Sequence, residues 1–255
     1  MDNVIGLIPA GGHARRIEPL PCSKELFPIG FLHRDEEKHG HPKVVCHYLL
    51  EKMRAAGITK AYIVLRQGKW DIPAYLQDGR MFEMHLAYLM LGLPYGVPYT
   101  VDQAYPFVRD AIIAFGFPDI LFQPDDAFIK LLAKKADSNA DIMLGLFPAD
   151  SPQKVDMVNF DKNGRVRQIE IKPRQTQLRF TWGIAVWTSV FTAFMHEHLA
   201  VIKGSAAGQP ELSMGHVIEA AVSSDLRVEA VIVSDDPYLD IGTPENLLKA
   251  IRNVQ

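Results

Sequence analysis

Cysteine is scarce. Cys22 and Cys46 are the two in 255 residues, too few for a disulfide framework, which argues against a small stapled secreted domain and for a reduced, cytoplasmic protein. Cys22 lies in a basic turn that would suit a reactive thiol, but no His or Asp is visibly paired with it in the sequence. A surplus of one charge is missing too. The formal net charge of −3 supplies no global basic field, so no nucleic-acid partner is expected and any anion site must be local. Long apolar runs are also absent. The longest, FTWGIAVWTSVFTAFM, is broken by Thr, Gly and Ser and falls short of the roughly 20 residues a spanning helix needs. No basic region precedes the first apolar run and nothing resembles a cleavage site. Neither a membrane partner nor a leader is therefore expected. Two phosphate-binding fingerprints are missing as well: G-x-G-x-x-G fails at AGGHAR, and G-x-x-x-x-G-K-[ST] does not occur.

What is present is an alternation of short β-rich runs with amphipathic segments. Residues 3–9, 60–66, 85–91, 111–117 and 141–147 read as strands, and 44–58, 100–111 and 125–136 as helices. This spacing argues for βαβ units and a mostly parallel sheet flanked by helices, a Rossmann-like α/β fold. Past Pro148 the rhythm changes. Residues 156–173 read as two strands joined at Asp161-Lys162-Asn163-Gly164, with Asn-Gly at the tip of the hairpin. A strand at 179–187, a helix at 211–224, a strand at 227–234 and a closing helix at 243–254 follow. Thr243 can cap that last helix, with Pro244 in its first turn. Asp125 and Asp126 are expected to cap the helix they precede. With no repeat or linker, residues 1–255 read as a single domain with a β-rich insert in the second half. The polar run FLHRDEEKHGHPK carries His33, His39 and His41. A metal reading is open, but a solvated loop is the plainer one, because metal ligation needs an enforced geometry.

The first strand runs straight into a glycine turn that holds Arg15 and Arg16, with Lys24 eight residues further on. Ligands of open α/β sheets sit beyond the carboxyl ends of the strands, and backbone N–H groups of a glycine turn converge on anions. The guest implied is phosphate. The bland alternative is a tight turn with solvated arginines.

The whole run resembles the signature of the sugar-phosphate nucleotidylyltransferases, of the glucose-1-phosphate thymidylyltransferase type: A-G-G-x-G-T-R-L-x-P-L, then P-K-x-L-x-P. Here it reads Ala10-Gly11-Gly12-His13-Ala14-Arg15-Arg16-Ile17-Glu18-Pro19-Leu20, then Ser23-Lys24-Glu25-Leu26-Phe27-Pro28. Ala14 replaces the second turn glycine, Arg15 the threonine and Ser23 the proline, and the loop before Lys24 is about two residues shorter than the family's. Further along, FPDILF, IEIKP, TWGIAVW and YLDIGTPENLLKAI resemble the family's later motifs in their order.

The resemblance implies a nucleotide-diphospho-sugar transferase-like fold, with residues 1–147 as a nucleotide-binding half and 148–255 as an acceptor-binding half. It implies that a nucleoside triphosphate and a small phosphorylated acceptor, a sugar 1-phosphate or a related phosphate, give a nucleoside-diphosphate-linked product and pyrophosphate. Catalysis would then be positioning and charge stabilisation without a covalent intermediate. Two unit charges about 4 Å apart interact by about 4 kcal/mol at an effective dielectric near 20, so the crowded phosphates repel by on the order of 10 kcal/mol. Cations must offset this. By the motif matches, Arg16 would hold the leaving pyrophosphate, Lys24 would lie along the triphosphate and Lys172 would meet the acceptor's phosphate. Ala10, Gly11, Gly12, Arg15, Leu91, Pro94 and Gly96 would line the nucleotide, and Asp156, Glu170, Ile171 and Gly183 the acceptor. Asp119 and Asp240, each at a strand end, would hold Mg2+, which takes oxygen ligands and keeps phosphates and waters. Arg15 remains either a second phosphate contact or a surface charge. Leu91 stands where the family has a base-reading glutamine, Asp156 where it has a sugar-contacting glycine, and Ile171 where it has a glutamate. These departures imply an unusual acceptor. A catalytically silent nucleotide-binding regulatory relative and a dinucleotide-dependent oxidoreductase are the rival readings, and the resemblance leaves a homo-oligomer open.

Overall fold

Along β1 (Val4–Ala10), Ile5 and Leu7 point to one face and Ile8 and Ala10 to the other. A strand apolar on both faces belongs in the middle of a sheet covered on both sides, and β1 lies there. The structure is a computed structural model that describes residues 3–32, 41–92, 96–203 and 211–253. After the basic turn come β2 (Pro28–Leu32) and β3 (His41–Val44), an antiparallel ribbon leading into α1 (Val45–Ala55). Of the three histidines flagged in the polar run, His33 and His39 lie outside the described residues, and His41 opens β3. Next are β4 (Lys60–Arg66), α2 (Asp71–Leu76), β5 (His85–Leu91), the short helices α3 (Val97–Asp102) and α4 (Tyr105–Val108), and β6 (Ile112–Gly116). The two-residue strand β7 (Ile120–Leu121), α5 (Ala127–Ala136) and β8 (Ile142–Pro148) follow. The second half adds β9 (Met157–Phe160), β10 (Val166–Glu170), β11 (Phe180–Trp187), α6 (Ser189–Lys203), α7 (Met214–Ser223), β12 (Val228–Ile232), β13 (Leu239–Asp240) and α8 (Pro244–Asn253).

Among the described residues the main sheet is mixed and has nine strands. β5, β4, β1 and β6 run parallel, and β8 and β12 form a second parallel pair. β11 lies antiparallel between β6 and β8 and joins the two sets. The β9–β10 hairpin attaches where Thr181 faces Met157. A separate antiparallel ribbon pairs β7 with β13. One core face carries Leu7, Phe115, Trp187 and Phe191, and the other Ile8, Leu49, Phe128 and Phe147, all of them buried.

The structure corrects several expectations. The helix read over 100–111 is two short ones, because Pro106 has no N–H to continue the ladder and instead sits in the first turn of α4. α2 and α6 were not anticipated. α6 buries Phe191, Met195 and Leu199 at helical spacing, directly behind a strand whose apolar run hides the change of period. Asp126 occupies the N-cap of α5 without a side-chain cap and instead pairs with Lys130 at 3.0 Å. Asp125 is drawn off to Lys52 on α1. Thr243 does cap α8, accepting the Asn246 N–H at 3.3 Å. Among the described residues no helix is long and apolar enough to cross a membrane.

Candidate active site

β1 ends at Ala10, paired with Leu65, and the chain turns through Gly11 and Gly12 at the carboxyl edge of the sheet. A Cβ on Gly11 would stand 2.9 Å from Leu91 Cδ2, so glycine is what lets the turn rest on the end of β5. Leu91 is thus brought to the turn, and Gly96 bridges to Leu212, while Pro94 lies outside the described residues. Ala14 has a φ of 57°, the left-handed backbone that glycine adopts at lower cost. His13, exposed in the same turn, has its pKa lowered by burial and by the charges of Arg66 and Arg15.

The acidic side of the site is made by two strands of two residues each. In the β7–β13 ribbon Ile120 pairs with Asp240, and the Ile241 N–H donates to the Asp119 carbonyl at 3.1 Å. Asp119 and Asp240, far apart in sequence, become neighbours by this register. The Lys24 ammonium is ion-paired with Asp119, both side chains being almost buried. Arg16 Nη2 stands 3.6 Å from Asp240 Oδ2, and the Gly242 N–H donates to Asp240 Oδ1 at 2.7 Å. Burial alone would lower the Lys24 pKa, but the Asp119 carboxylate beside it carries it above the ordinary lysine value. Burial and then the Asp119 charge raise the Asp240 carboxyl. Arg16, Lys24, Asp119 and Asp240 therefore form one constellation of alternating charge.

This carboxylate pair fits a divalent ion. A carboxyl raised by its neighbour's negative charge is a site that a cation relieves, and two carboxylates leave the remaining positions of a Mg2+ shell to phosphate oxygens and water. No group of three or more potential ligands occurs among the described residues, so the protein's share of such a shell would be these two carboxylates.

Asp71 and Lys69, which sequence reasoning did not single out, tie down the residues on either side of Lys24. The Asp71 carboxylate accepts from the Ser23 backbone N–H at 2.6 Å and from Ser23 Oγ at 2.7 Å. On the other flank Lys69 donates to Glu25 at 2.6 Å, with both side chains buried. Burial raises the Glu25 carboxyl and lowers the Lys69 ammonium in spite of their contact, so the pair is kept at a desolvation cost. Ser23, which departs from the family motif, supplies two donors to Asp71, and a proline there would supply neither. Beside Lys24 opens a cleft of about 290 Å³, whose lining includes Gly12, His13, Ala14, Arg66 and Lys69.

Of the second-half residues, Asp156 and Ile171 meet at the N-terminus of α7. A Cβ on Gly215 would fall 2.2 Å from Asp156 Oδ2 and 2.8 Å from Ile171 Cδ1, so Asp156 and Ile171 both pack on the first turn of that helix. Burial raises the Asp156 carboxyl, against the opposing charges of Lys172 and His216 and hydrogen bonds from Ser213 and the Gly215 N–H. Asp156 thus ties β9 to the start of α7, where a negative charge is favoured. Glu170 ends β10, half-buried, and Lys172 is exposed with a φ of 42°. Neither Asp119 nor Asp240 is an ion partner of Lys172. Gly183 sits under Tyr238 and Phe147, either of whose rings would meet a Cβ at 3.0 Å. Tyr238 links the two regions. Burial, with the charges of Asp240, Asp156 and Asp119 adding, pushes its hydroxyl up to about 12 against a hydrogen bond with Thr181.

The family model described as "Nucleotidyl transferase" matches residues 5–255. The chain is 22% identical over 248 residues to the low-salt glycan biosynthesis nucleotidyltransferase Agl11 of Haloferax volcanii, covering 96% of this chain and 64% of that protein. It is 24% identical over 252 residues to a glucose-1-phosphate thymidylyltransferase of Streptomyces antibioticus, covering 97% and 65%. The chain thus spans slightly less than two thirds of the length of these relatives. A Bacillus anthracis protein described as a glucose-1-phosphate thymidylyltransferase, solved with sucrose, superposes with a TM-score of 0.79 at 18% identity, covering 99% of this chain and 96% of that one.

Proposed function

Because the chain belongs to the nucleotidyl transferase family, we propose that it transfers a nucleotidyl group from a nucleoside triphosphate to a small phosphorylated acceptor, releasing pyrophosphate. The observation that carries this reading is the meeting of Lys24 and Arg16 with Asp119 and Asp240 at the carboxyl edge of the sheet.

A phosphate oxygen of the acceptor attacks the α-phosphorus in line as the bond to the β-phosphate oxygen breaks. Lys24, fixed on both flanks by Asp71 and Lys69, lies along the triphosphate and offsets the charge that builds on it. Arg16 meets the leaving pyrophosphate from the exposed side, with Gly11, Gly12 and Arg15 contributing backbone and charge. Asp119 and Asp240 would hold Mg2+, which when bound supplies neutralisation of phosphate charge. Leu91, buried against Gly11, would support the turn under the nucleotide and gives the base no hydrogen bond. Residues 1–147 would carry the nucleotide, and 148–255 the acceptor through Lys172, Glu170 and Gly183. With Asp156 committed to α7 and an isoleucine at 171, that half lacks two of the usual sugar contacts, which supports an acceptor other than a common hexose phosphate.

The test is a panel of five nucleoside triphosphates against sugar 1-phosphates and other phosphomonoesters, scored by Mg2+-dependent pyrophosphate release. One pair should stand out. A preference for glucose 1-phosphate defeats the unusual-acceptor part. Nucleotide binding without release from any pair defeats the transfer reading and favours a regulatory protein.

A further inference from the structure

The cleft beside Lys24 has a second wall that the phosphate turn does not supply. Ala10 pairs with Leu65, so the next residue of β4, Arg66, stands level with Gly11 at the carboxyl edge of the sheet. Gly68, with a φ of 92°, turns the chain directly after it, and a Cβ there would stand 3.5 Å from Arg66 Nη1. The lysine and arginine side chains that line the cleft are Lys24, Arg66 and Lys69. Lys24 is neutralised by Asp119 and Lys69 by Glu25. Arg66 has no carboxylate partner among the described residues. Its Nη1 donates only to the neighbouring Gln67 carbonyl, at 2.9 Å, and its Nε is shielded from water without an acceptor. Of the acidic groups on the lining, Asp71 is engaged by Ser23, and Glu18 is exposed. A half-buried guanidinium with free donors, set beside an anion-binding turn, lacks one thing, an oxyanion. A guanidinium fork matches the oxygens of a phosphate group in a way that an ammonium does not.

Resting on the reading that this cleft receives a triphosphate, we propose that Arg66 binds its terminal phosphates and is a further determinant of pyrophosphate affinity. Asp119 and Asp240 are not on the lining that Arg66 shares with Lys24, so the Arg66 contact is assigned to the departing β- and γ-phosphates and not to the α-phosphate beside the carboxylate pair. The segment from Arg66 to Asp71 then does two jobs. Lys69 and Asp71 position Lys24, and Arg66 extends the phosphate site beyond the glycine turn.

The experiment is calorimetric titration of inorganic pyrophosphate and of a nucleoside monophosphate into the full chain, with and without Mg2+, for wild type, Arg66→Gln and Arg66→Lys. Loss of one charge-assisted contact should weaken pyrophosphate binding about tenfold in Arg66→Gln and less in Arg66→Lys. Monophosphate binding and the melting temperature should be unchanged. Pyrophosphate affinity within about twofold of wild type in both variants, by the same measure, overturns the assignment. An equal loss for the monophosphate overturns it too, as does a wild type that binds no pyrophosphate. A wild type that binds pyrophosphate but turns over no triphosphate sinks the transfer reading and leaves this titration as an independent measure of Arg66.

Discussion

Asp119→Asn removes one charge from a point where four charged groups meet. The Lys24 side chain is 13% exposed and its partner Asp119 14%, so solvent can replace little of what is lost. At an effective dielectric near 20, two unit charges within hydrogen-bonding distance attract by roughly 5 kcal/mol. Three things offset that loss. The asparagine amide oxygen still accepts from the ammonium, worth about 1.5–3 kcal/mol for a charged donor. The repulsion that raises Asp240 disappears. The desolvation cost of one buried ion is also recovered. The net destabilisation is about 1–3 kcal/mol, a fall in melting temperature of roughly 2–10 °C for a chain of this size. The effect on turnover is larger, because the same carboxylate would hold the metal against the phosphates. Removing one preorganised stabilising group from a transition state typically costs about 10²–10³ in kcat. The assay is pyrophosphate release with the best substrate pair at increasing Mg2+, with a thermal melt of the same preparation. The expected result is at least about a hundredfold loss of kcat and a Mg2+ requirement moved to higher concentration, in a protein that still melts cooperatively. Turnover within about fivefold of wild type with an unchanged Mg2+ requirement would refute the reasoning and leave Asp119 as nothing more than the ion partner of Lys24. Asp240→Asn, which leaves the Lys24–Asp119 pair intact, repeats the test should the first variant fold poorly.

Three other outcomes are expected. Asp71→Ala removes both acceptors of Ser23 and should cost about 2–3 kcal/mol in urea unfolding; kcat should fall with it while acceptor KM stays put, and equal effects on both would mean a general collapse. Gly215→Ala places a Cβ 2.2 Å from Asp156 Oδ2 and should destabilise by about 1–3 kcal/mol, with Asp156→Ala restoring much of it in the double variant; additive losses would show that the two do not meet. His47, buried against Phe82 in edge-to-face contact, is lowered to about 4 by burial and then by Lys43. Its unfolded form gains a proton below about 6.5 while the folded form stays neutral until about 4. Stability should therefore drop by about 2–3 kcal/mol across that window as pH falls, and His47→Leu should flatten the profile; an unaltered slope would count against it.

The parts of this protein that were legible in its sequence are the local ones. The alternation from β1 to β8 exposed the parallel strands because each buried strand is a short apolar run closed by a turn. The Asn-Gly tip and the Thr-Pro start of α8 were readable because one or two residues determine each. α6 was hidden because its apolar face continues that of β11, and α2 because six residues with a proline inside carry little period. The same division holds at the site. Arg16, Lys24, Asp119 and Asp240 could be picked out by motif resemblance. That they touch is a consequence of a two-residue ribbon whose pairing, Ile120 with Asp240, no local pattern announces. The Ser23–Asp71 and Glu25–Lys69 pairs span 48 and 44 residues, and each residue alone reads as an ordinary solvated polar side chain. Asp156 was legible as a departure from the family but not as a tether, because its partner is the backbone of a helix far along the chain.

The most direct test is a crystal structure of the chain with Mg2+ and a non-hydrolysable triphosphate of the preferred base. The account predicts the α-phosphate within hydrogen-bonding reach of Lys24, the ion between Asp119 and Asp240, and the terminal phosphates turned toward Arg66. A triphosphate bound away from Lys24, with no ion between the two carboxylates, would contradict it.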